Sequence, residues 1–538
     1  LETSILFKSA LLIISLLITI FLWVRASNPL ETDRSATANL ILVALVLLTF
    51  LSRYCYMSDV EPNVDTSTWL ASTLSLSALP DKLWLLLNYT DSRPLTVLPI
   101  WLSYSLGAPL TYTMAEIVGL IFWLISIVFF YRSLCLFIHP SIGLLLVWSI
   151  CLLIGTTSYN DHIAYNSEHL SILVLTMCSY GYLKMEKTGS ITIPAAVLLG
   201  GALGSLLYIK FQNVPMGLVI AGMSLISIIQ LKKWSTAMLF ILSGLMPTIL
   251  INIYFLAKGK LNDFWVNYFW NYFYYSYSTQ FQSMPVEGRF NPFRIFSFIL
   301  YSSHSRFFFI GLLLALLVVS IWRGTTFKRS TDFSRTNKKF AALMLLSSLY
   351  ACLQAGNNFG HYVLYLFIPL AYLVAVMIGR SSGMAQLIGL GLVMSFSFVQ
   401  SGRNIVARQP LQPLPSNHLD HEITSTIVEN SKPGQPIVIW GWADRFYYFS
   451  KRPSGYRLPH THNLFLESDL KVYRIKNFLE DLDKTRPILF ADAVTPSLST
   501  MSDIGYRFEH NKKVRAYINK HYRYLKNVNG MIFYKRIQ

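Results

Sequence analysis

Apolar residues come in long runs from residue 5 to about residue 400, then give way to short runs broken by charge. An α-helix needs roughly 17 to 25 apolar residues to cross a hydrocarbon core. Runs of that kind fall near residues 5–24, 38–55, 113–131, 140–156, 168–184 and 193–209. A second set falls near 213–231, 236–256, 304–322, 340–355, 363–379 and 383–400. The pattern predicts a polytopic α-helical membrane protein with about 12 transmembrane helices over residues 1–400. The first run lacks a small-residue cleavage site and is expected to remain as a span. The stretch from 80 to 112 is apolar but interrupted by Asp91, Arg93, Pro94 and Pro99. It is expected as short interfacial helices, because charges at the centre of a span are costly.

Beyond residue 400 the periodicity changes. Strand-like runs ("PIVIWGW", "RPILFADA", "GMIFYKR") alternate with helical patterns ("LESDLKVYRIKNFLEDLDK", "KVRAYINKHY"). Residues 401–538 are therefore expected to form a C-terminal soluble α/β domain, most simply a folding module or acceptor-docking platform without a catalytic group of its own.

Composition agrees with a chain solvated mainly by lipid: 53% of residues are hydrophobic and 13% charged, about half the charge of an ordinary soluble domain. The net charge of +18 raises the question of nucleic acid. No recognition motif accompanies it, and the bases gather instead in alternate loops, so no nucleic-acid partner is expected. Arg132, Lys184, Lys187, Lys232, Lys233 and Arg380 fall in one set of loops, with the densest run from Arg323 to Lys339. The positive-inside rule makes that set cytoplasmic. Asp59, Glu61, Asp65, Asp81, Asp91, Asp161 and Glu168 fall in the opposite set. These loops and the tail are expected on the periplasmic or extracellular side of the cell (inner) membrane. The five cysteines show neither a disulfide framework nor metal-ligand spacing. No P-loop, glycine fingerprint or zinc motif is present.

The chemistry-bearing residues then lie in outer loops 56–112, 157–168 and 257–304. The first begins "MSDVEPNVDTSTWL", with Asp59, Glu61 and Asp65 just after a span. A carboxylate there can accept a hydroxyl proton or hold a cation; Asp65 could equally cap the helix that follows. In "TTSYNDHIAYNSEHLSILVL", Asp161, His162 and Glu168 could bind a sugar, an acceptor or a metal, or "NSEHL" could simply cap the next span. Lys210 and Gln212 in "LLYIKFQNVP" stand at the outer end of a span, where an ammonium can hold a lipid phosphate or merely snorkel. His361 and Tyr362 in "QAGNNFGHYVLYLFIPL" could contact a phosphate or a sugar, or belong to an aromatic belt. The aromatic run "DFWVNYFWNYFYYSYSTQF" suits interfacial anchoring, a minority of its rings suiting sugar or lipid contact.

The layout of a span, an acidic loop, an interfacial helix, "DSRPL" and another span resembles the GT-C superfamily of membrane glycosyltransferases. Bacterial relatives of the protein O-mannosyltransferases and of the lipid A aminoarabinose transferase are the nearest group. The resemblance makes Asp65 the match to the family's first-loop catalytic carboxylate, and Arg93 with Pro94 the match to its basic-proline element. It likewise suggests donor-phosphate contacts for Lys210, Gln212, His361 and Tyr362, and a family-like segment in "GWADRFYYFSKRPSGYR". The chain departs from the family in "VDTS", where many members have Asp followed by Glu, and in one extra span before the motif. Both Asp65 and Glu61 therefore stand as candidate bases, with Asp59 beside them.

The resemblance implies inverting transfer of a sugar from a polyprenyl-phosphate-linked donor to a hydroxyl acceptor, on a glycan, lipid or protein, at the outer membrane face. The cofactor is unknown; a divalent metal is compatible with these carboxylates and not required by them. The alternative is a lipid-linked sugar flippase or another transporter, for which mid-membrane charges and matched broken helices are expected.

Overall fold

The computed structural model describes residues 2–27, 35–79, 94–277, 284–322, 332–357, 359–381, 383–407, 418–465, 467–499 and 503–537. A helix stands at each apolar run. The first six are Glu2–Ser27, Ser35–Tyr54, Tyr112–Leu134, Pro140–Thr156, Ser167–Thr188 and Ile193–Ile209. The others are Val214–Gln230, Trp234–Ala257, Arg306–Ile321, Asp332–Leu353, Leu364–Ile378 and Met384–Ala407. Among the described residues, 7 helical segments are long and apolar enough to cross a membrane, and Pro140–Thr156, Ile193–Ile209 and Arg306–Ile321 are apolar but shorter. Large apolar side chains face outward, such as Leu40 at 71% exposure and Leu198 at 66%. Water would penalise such a surface, whereas lipid tails are as apolar as the side chains. The chain is an integral membrane protein.

Helix contacts inside the bundle follow the same solvent logic. Without a hydrophobic force between helices, close packing needs small residues. A Cβ on Gly204 would stand 1.9 Å from the carbonyl oxygen of Gly244, and one on Gly200 would stand 2.3 Å from that of Phe240. The backbones of Ile193–Ile209 and Trp234–Ala257 touch there, which only glycine permits.

Two helices lie between the bundle and the tail. Val64–Ala78 carries a run of buried small polar residues, Thr66, Ser67, Thr68, Ser72, Thr73 and Ser75. Its Ala71 and Leu76 pack into the apolar cores of the C-terminal domain, while Trp69, Leu70 and Leu74 pack with Val97 and Ile100. The second helix, Pro94–Ser105, occupies part of the segment expected to be interfacial. The rest of that expectation, with Asp81, Asp91 and Arg93, lies outside the described residues, as do Arg323, Lys328 and Arg329 of the basic run.

The C-terminal domain holds a four-stranded sheet in the order β1-β2-β4-β3. β1 (Ile437–Trp440) and β2 (Leu489–Asp492) pair in parallel across the crossover helix Lys471–Thr485. β2 pairs antiparallel with β4 (Met531–Arg536), and β4 with β3 (Tyr522–Val528). β1, β2 and β4 match the three strand-like runs. β3 was not foreseen, although Asn529 and Gly530, both at positive φ, form the Asn-Gly turn that joins it to β4.

Candidate functional site

Alternation of the helices brings one set of ends together. The C-termini of Ser35–Tyr54, Pro140–Thr156 and Ile193–Ile209 meet the N-termini of Tyr112–Leu134, Ser167–Thr188 and Leu364–Ile378, and hydrogen bonds and ion pairs between residues at these ends tie them into one rim. Lys187, Lys232 and Lys233 lie at the other ends, where Lys233 Nζ donates to the Ile191 carbonyl at 2.8 Å.

At the rim, Lys210 Nζ donates to Glu168 Oε1, both side chains being buried. The ammonium also stands 4.9 Å from the centre of the Tyr362 ring. His361 lies between two carboxylates, with Nε2 3.9 Å from Glu168 Oε1 and Nδ1 3.9 Å from Asp161 Oδ2. Asp161 accepts from the Gly360 N–H at 3.0 Å and from the Tyr159 hydroxyl at 3.2 Å. Five candidates thus come together: Asp161, Glu168, Lys210, His361 and Tyr362. Glu168 does not cap its helix. Asn166 is the N-cap, and His169 Nδ1 lies 3.1 Å from the Asn166 backbone nitrogen, which frees the neighbouring carboxylate to face Lys210.

Two further candidates of the same loops, His162 and Gln212, have other contacts. His162 is enclosed by the Tyr159 and Phe367 rings, and burial pushes its imidazole down to about 3, so it stays neutral. Gln212 is buried with its Nε2 donating to the Ala351 carbonyl at 2.9 Å, which joins the turn after Lys210 to the helix Asp332–Leu353.

The first-loop carboxylates form a separate group on the C-terminal domain. Asp59 accepts from the Tyr112 N–H and the Tyr448 hydroxyl, each at 2.7 Å. Glu61 accepts from the Ser67 hydroxyl and faces Arg445 Nη1 at 4.0 Å, while Arg445 also pairs with Asp420 at 3.3 Å. Burial raises the Glu61 carboxyl above its ordinary value, opposed by the Ser67 bond and the Arg445 charge. Asp65 stands in the first turn of Val64–Ala78, half-buried. It is not the cap. Asn63 Oδ1 takes that role, accepting from the Thr66 N–H at 3.0 Å.

Between the groups runs a buried pair that the sequence reading missed. Arg53 Nη1 donates to the Thr157 carbonyl at 2.6 Å and its Nη2 lies 3.8 Å from Glu116 Oε2. Glu116 inside an apolar run was the available signal, since an ionisable residue in a span flags a functional or structural partner. Arg445 and Tyr448 could not be paired with the first loop by any local pattern. Arg93 lies outside the described residues; on the described helix Pro94–Ser105, Thr96 donates to the carbonyl of Ile209 at 3.1 Å. Among the described residues no group of three or more His, Cys, Asp or Glu side chains is placed to hold a metal ion.

No family model matches the sequence, and no curated protein matches it. Solved structures do match. ArnT from Cupriavidus metallidurans bound to undecaprenyl phosphate aligns over 94% of this chain and 98% of its own, with a TM-score of 0.52 at 12% identity. An oligosaccharyltransferase from Archaeoglobus fulgidus tethered to an acceptor peptide aligns over 94% of this chain and 74% of its own, with a TM-score of 0.47 at 10% identity. Covering 94% of this chain, the likeness to ArnT takes in the helical bundle, the helices at its rim and the small C-terminal sheet domain, so the chain shares that fold.

Proposed function

We propose that this protein transfers a sugar from a polyprenyl-phosphate-linked donor to a hydroxyl acceptor at the outer face of the membrane, with inversion at the anomeric carbon. The observation that carries the reading is the gathering of buried ionisable side chains at one end of an apolar bundle, beside an acidic loop covered by the C-terminal domain. Chemistry on a lipid-borne substrate needs polar groups at that depth and no nucleotide-binding domain.

In the proposed reaction Asp65 takes the acceptor proton as the hydroxyl oxygen attacks the anomeric carbon. The bond from that carbon to the phosphate oxygen breaks, and the electron pair leaves on the lipid phosphate. Arg93 and Lys210 are proposed to offset the developing negative charge, with Tyr362 beside Lys210 and His361 beside its partner Glu168. An ammonium carries three N–H donors, so the bond from Lys210 to Glu168 is compatible with a phosphate contact. That bond has a further consequence. Glu168 neutralises Lys210, so a phosphate meets a full positive charge only by drawing the ammonium partly away from the carboxylate. Asp161 and Glu168 are proposed to hold sugar or acceptor hydroxyls, as carboxylates do through their paired acceptor oxygens.

The basic ends of the bundle support placing the acidic rim and the C-terminal domain on the periplasmic or extracellular side of the cell membrane. The test is turnover by the purified full chain in nanodiscs, supplied with polyprenyl-phosphate sugars and candidate hydroxyl acceptors. Release of polyprenyl phosphate in step with glycosylated product is expected. Movement of the intact lipid-linked sugar between leaflets without bond cleavage would replace this reading with the flippase.

A further inference from the structure

The C-terminal domain sets a tryptophan, flanked by two histidines, against the first-loop helix. After β1 the chain turns at Gly441, whose φ of +125° lies where side chains are strained. The turn is pinned on both sides: Gly441 N–H donates to Thr461 Oγ1 at 2.7 Å, and Thr461 N–H donates to the Gly441 carbonyl at 2.9 Å. Pinning brings residues 460–462 alongside Trp442. The Trp442 and His462 rings stack at 4.5 Å and 13°, and His460 lies 5.0 Å from Trp442 and 4.2 Å from His462. Both histidines are buried, while Trp442 remains partly exposed. The indole N–H reaches Thr68 Oγ1 at 3.3 Å, and the Thr68 hydroxyl donates to Asp444 Oδ2 at 2.6 Å. Thr68 is three residues after Asp65, so both belong to one face of the helix.

We infer that Trp442, braced by His460, His462 and Thr68, is a specificity-determining wall of the acceptor site and stacks on the C–H face of a sugar ring in the acceptor. The inference rests on the transfer reading above and names its acceptor class as a glycan or glycolipid. An indole held along one face and at its N–H is a rigid apolar plate whose position is set before any ligand arrives, so little conformational freedom is lost on stacking. Its tie to Thr68 places that plate one helical turn from the proposed base. A hydroxyl on a ring lying against the plate is thereby presented towards Asp65, whereas a flexible alkyl alcohol is not held by it.

The experiment separates binding from transfer. Saturation-transfer NMR on the full chain in nanodiscs, without donor, uses hexose- and N-acetylhexosamine-terminated trisaccharides as probes. Wild-type protein should saturate the C–H protons on one face of the terminal ring. W442L, which keeps apolar volume without the aromatic plate, should weaken affinity about tenfold, the scale of one lost aromatic contact with its buried area. W442F, which keeps a plate, should stay within about threefold and controls for folding. Equal affinities in wild type and W442L, or no binding of any trisaccharide to wild type, would overturn the inference. Failure of the transfer reading shows separately, as absence of product when donor is added.

Discussion

The two carboxylate groups at the rim use the same side chains for different ends. Glu168 is bound to a lysine and neighboured by a histidine, all supplied by the ends of membrane helices and all buried. Asp59 and Glu61 are held mainly by uncharged donors, Tyr448, Ser67 and a backbone N–H, and by an arginine at 4.0 Å that is shared with Asp420. The first arrangement is one a bundle requires, because a carboxylate buried among apolar helices must be paired. The second is a seam between a loop and a folded domain, where the carboxylates are only partly buried and are held chiefly by neutral donors. Position along the sequence hides this contrast. Energetics of partner removal expose it.

The contrast breaks most sharply at Glu168. Glu168→Gln removes the carboxylate partner of the buried Lys210 ammonium and should cost about 3 to 5 kcal/mol of stability. Adding Lys210→Met should restore most of that loss, since the charge to be paired is then gone. Thermal melting in detergent checks both; a silent Glu168→Gln would remove the ion pair from the stability argument.

Asp65→Asn should behave in the opposite way. Turnover should drop about a hundredfold or more, the usual scale for a general base. Melting should fall far less than for Glu168→Gln, because Asn keeps the size and most of the hydrogen bonding of the side chain and Asn63, not Asp65, caps the helix. Activity retained in Asp65→Asn but lost in Glu61→Gln would move the base to Glu61 and keep the seam as the reaction centre.

A smaller effect tests the seam itself. Tyr448→Phe deletes the hydroxyl bonded to Asp59 at 2.7 Å and should cost about 1.5 kcal/mol, as for a hydrogen bond to a charged group. Limited proteolysis should then cut more readily between the bundle and the C-terminal domain. Unaltered proteolysis and melting would show that the apolar contacts of Val64–Ala78 hold the domain without this bond.

The smallest effect is a slope. Folded protein keeps His162 neutral down to about pH 3, while the unfolded chain protonates it near 6.5. Its contribution is therefore complete above 6.5 and is lost as pH falls, by at most about 1.4 kcal/mol per unit. Melting temperature should decline from pH 7.5 to 5.5 in wild type and less steeply in His162→Gln. Parallel declines would mean that water reaches the imidazole.

Much of this protein was legible in its order of residues. Helices follow from apolar run length, since lipid leaves a buried backbone few other ways to satisfy its hydrogen bonds. β1, β2 and β4 follow from short apolar runs, and the grouping of Asp161, Glu168, Lys210 and His361 at one end of the bundle follows from alternation of spans. Local chemistry could not say which loop residue caps and which pairs, because Asp65 and Asn63, or Glu168 and Asn166, are all competent caps in isolation.

Those choices, and the partners of the first loop, belong to tertiary structure alone. Asp59 and Tyr448 are 389 positions apart, and Thr68 and Trp442 are 374 apart. The order of residues determined which segments enter lipid and on which side of the bundle the acids emerge, because burial of apolar surface and backbone satisfaction act within a single segment. Only the folded chain decided which acid is paired, which caps nothing and which meets the C-terminal domain. The physical reason is that hydrogen bonds and ion pairs act over a few ångströms of space, whatever the separation along the chain.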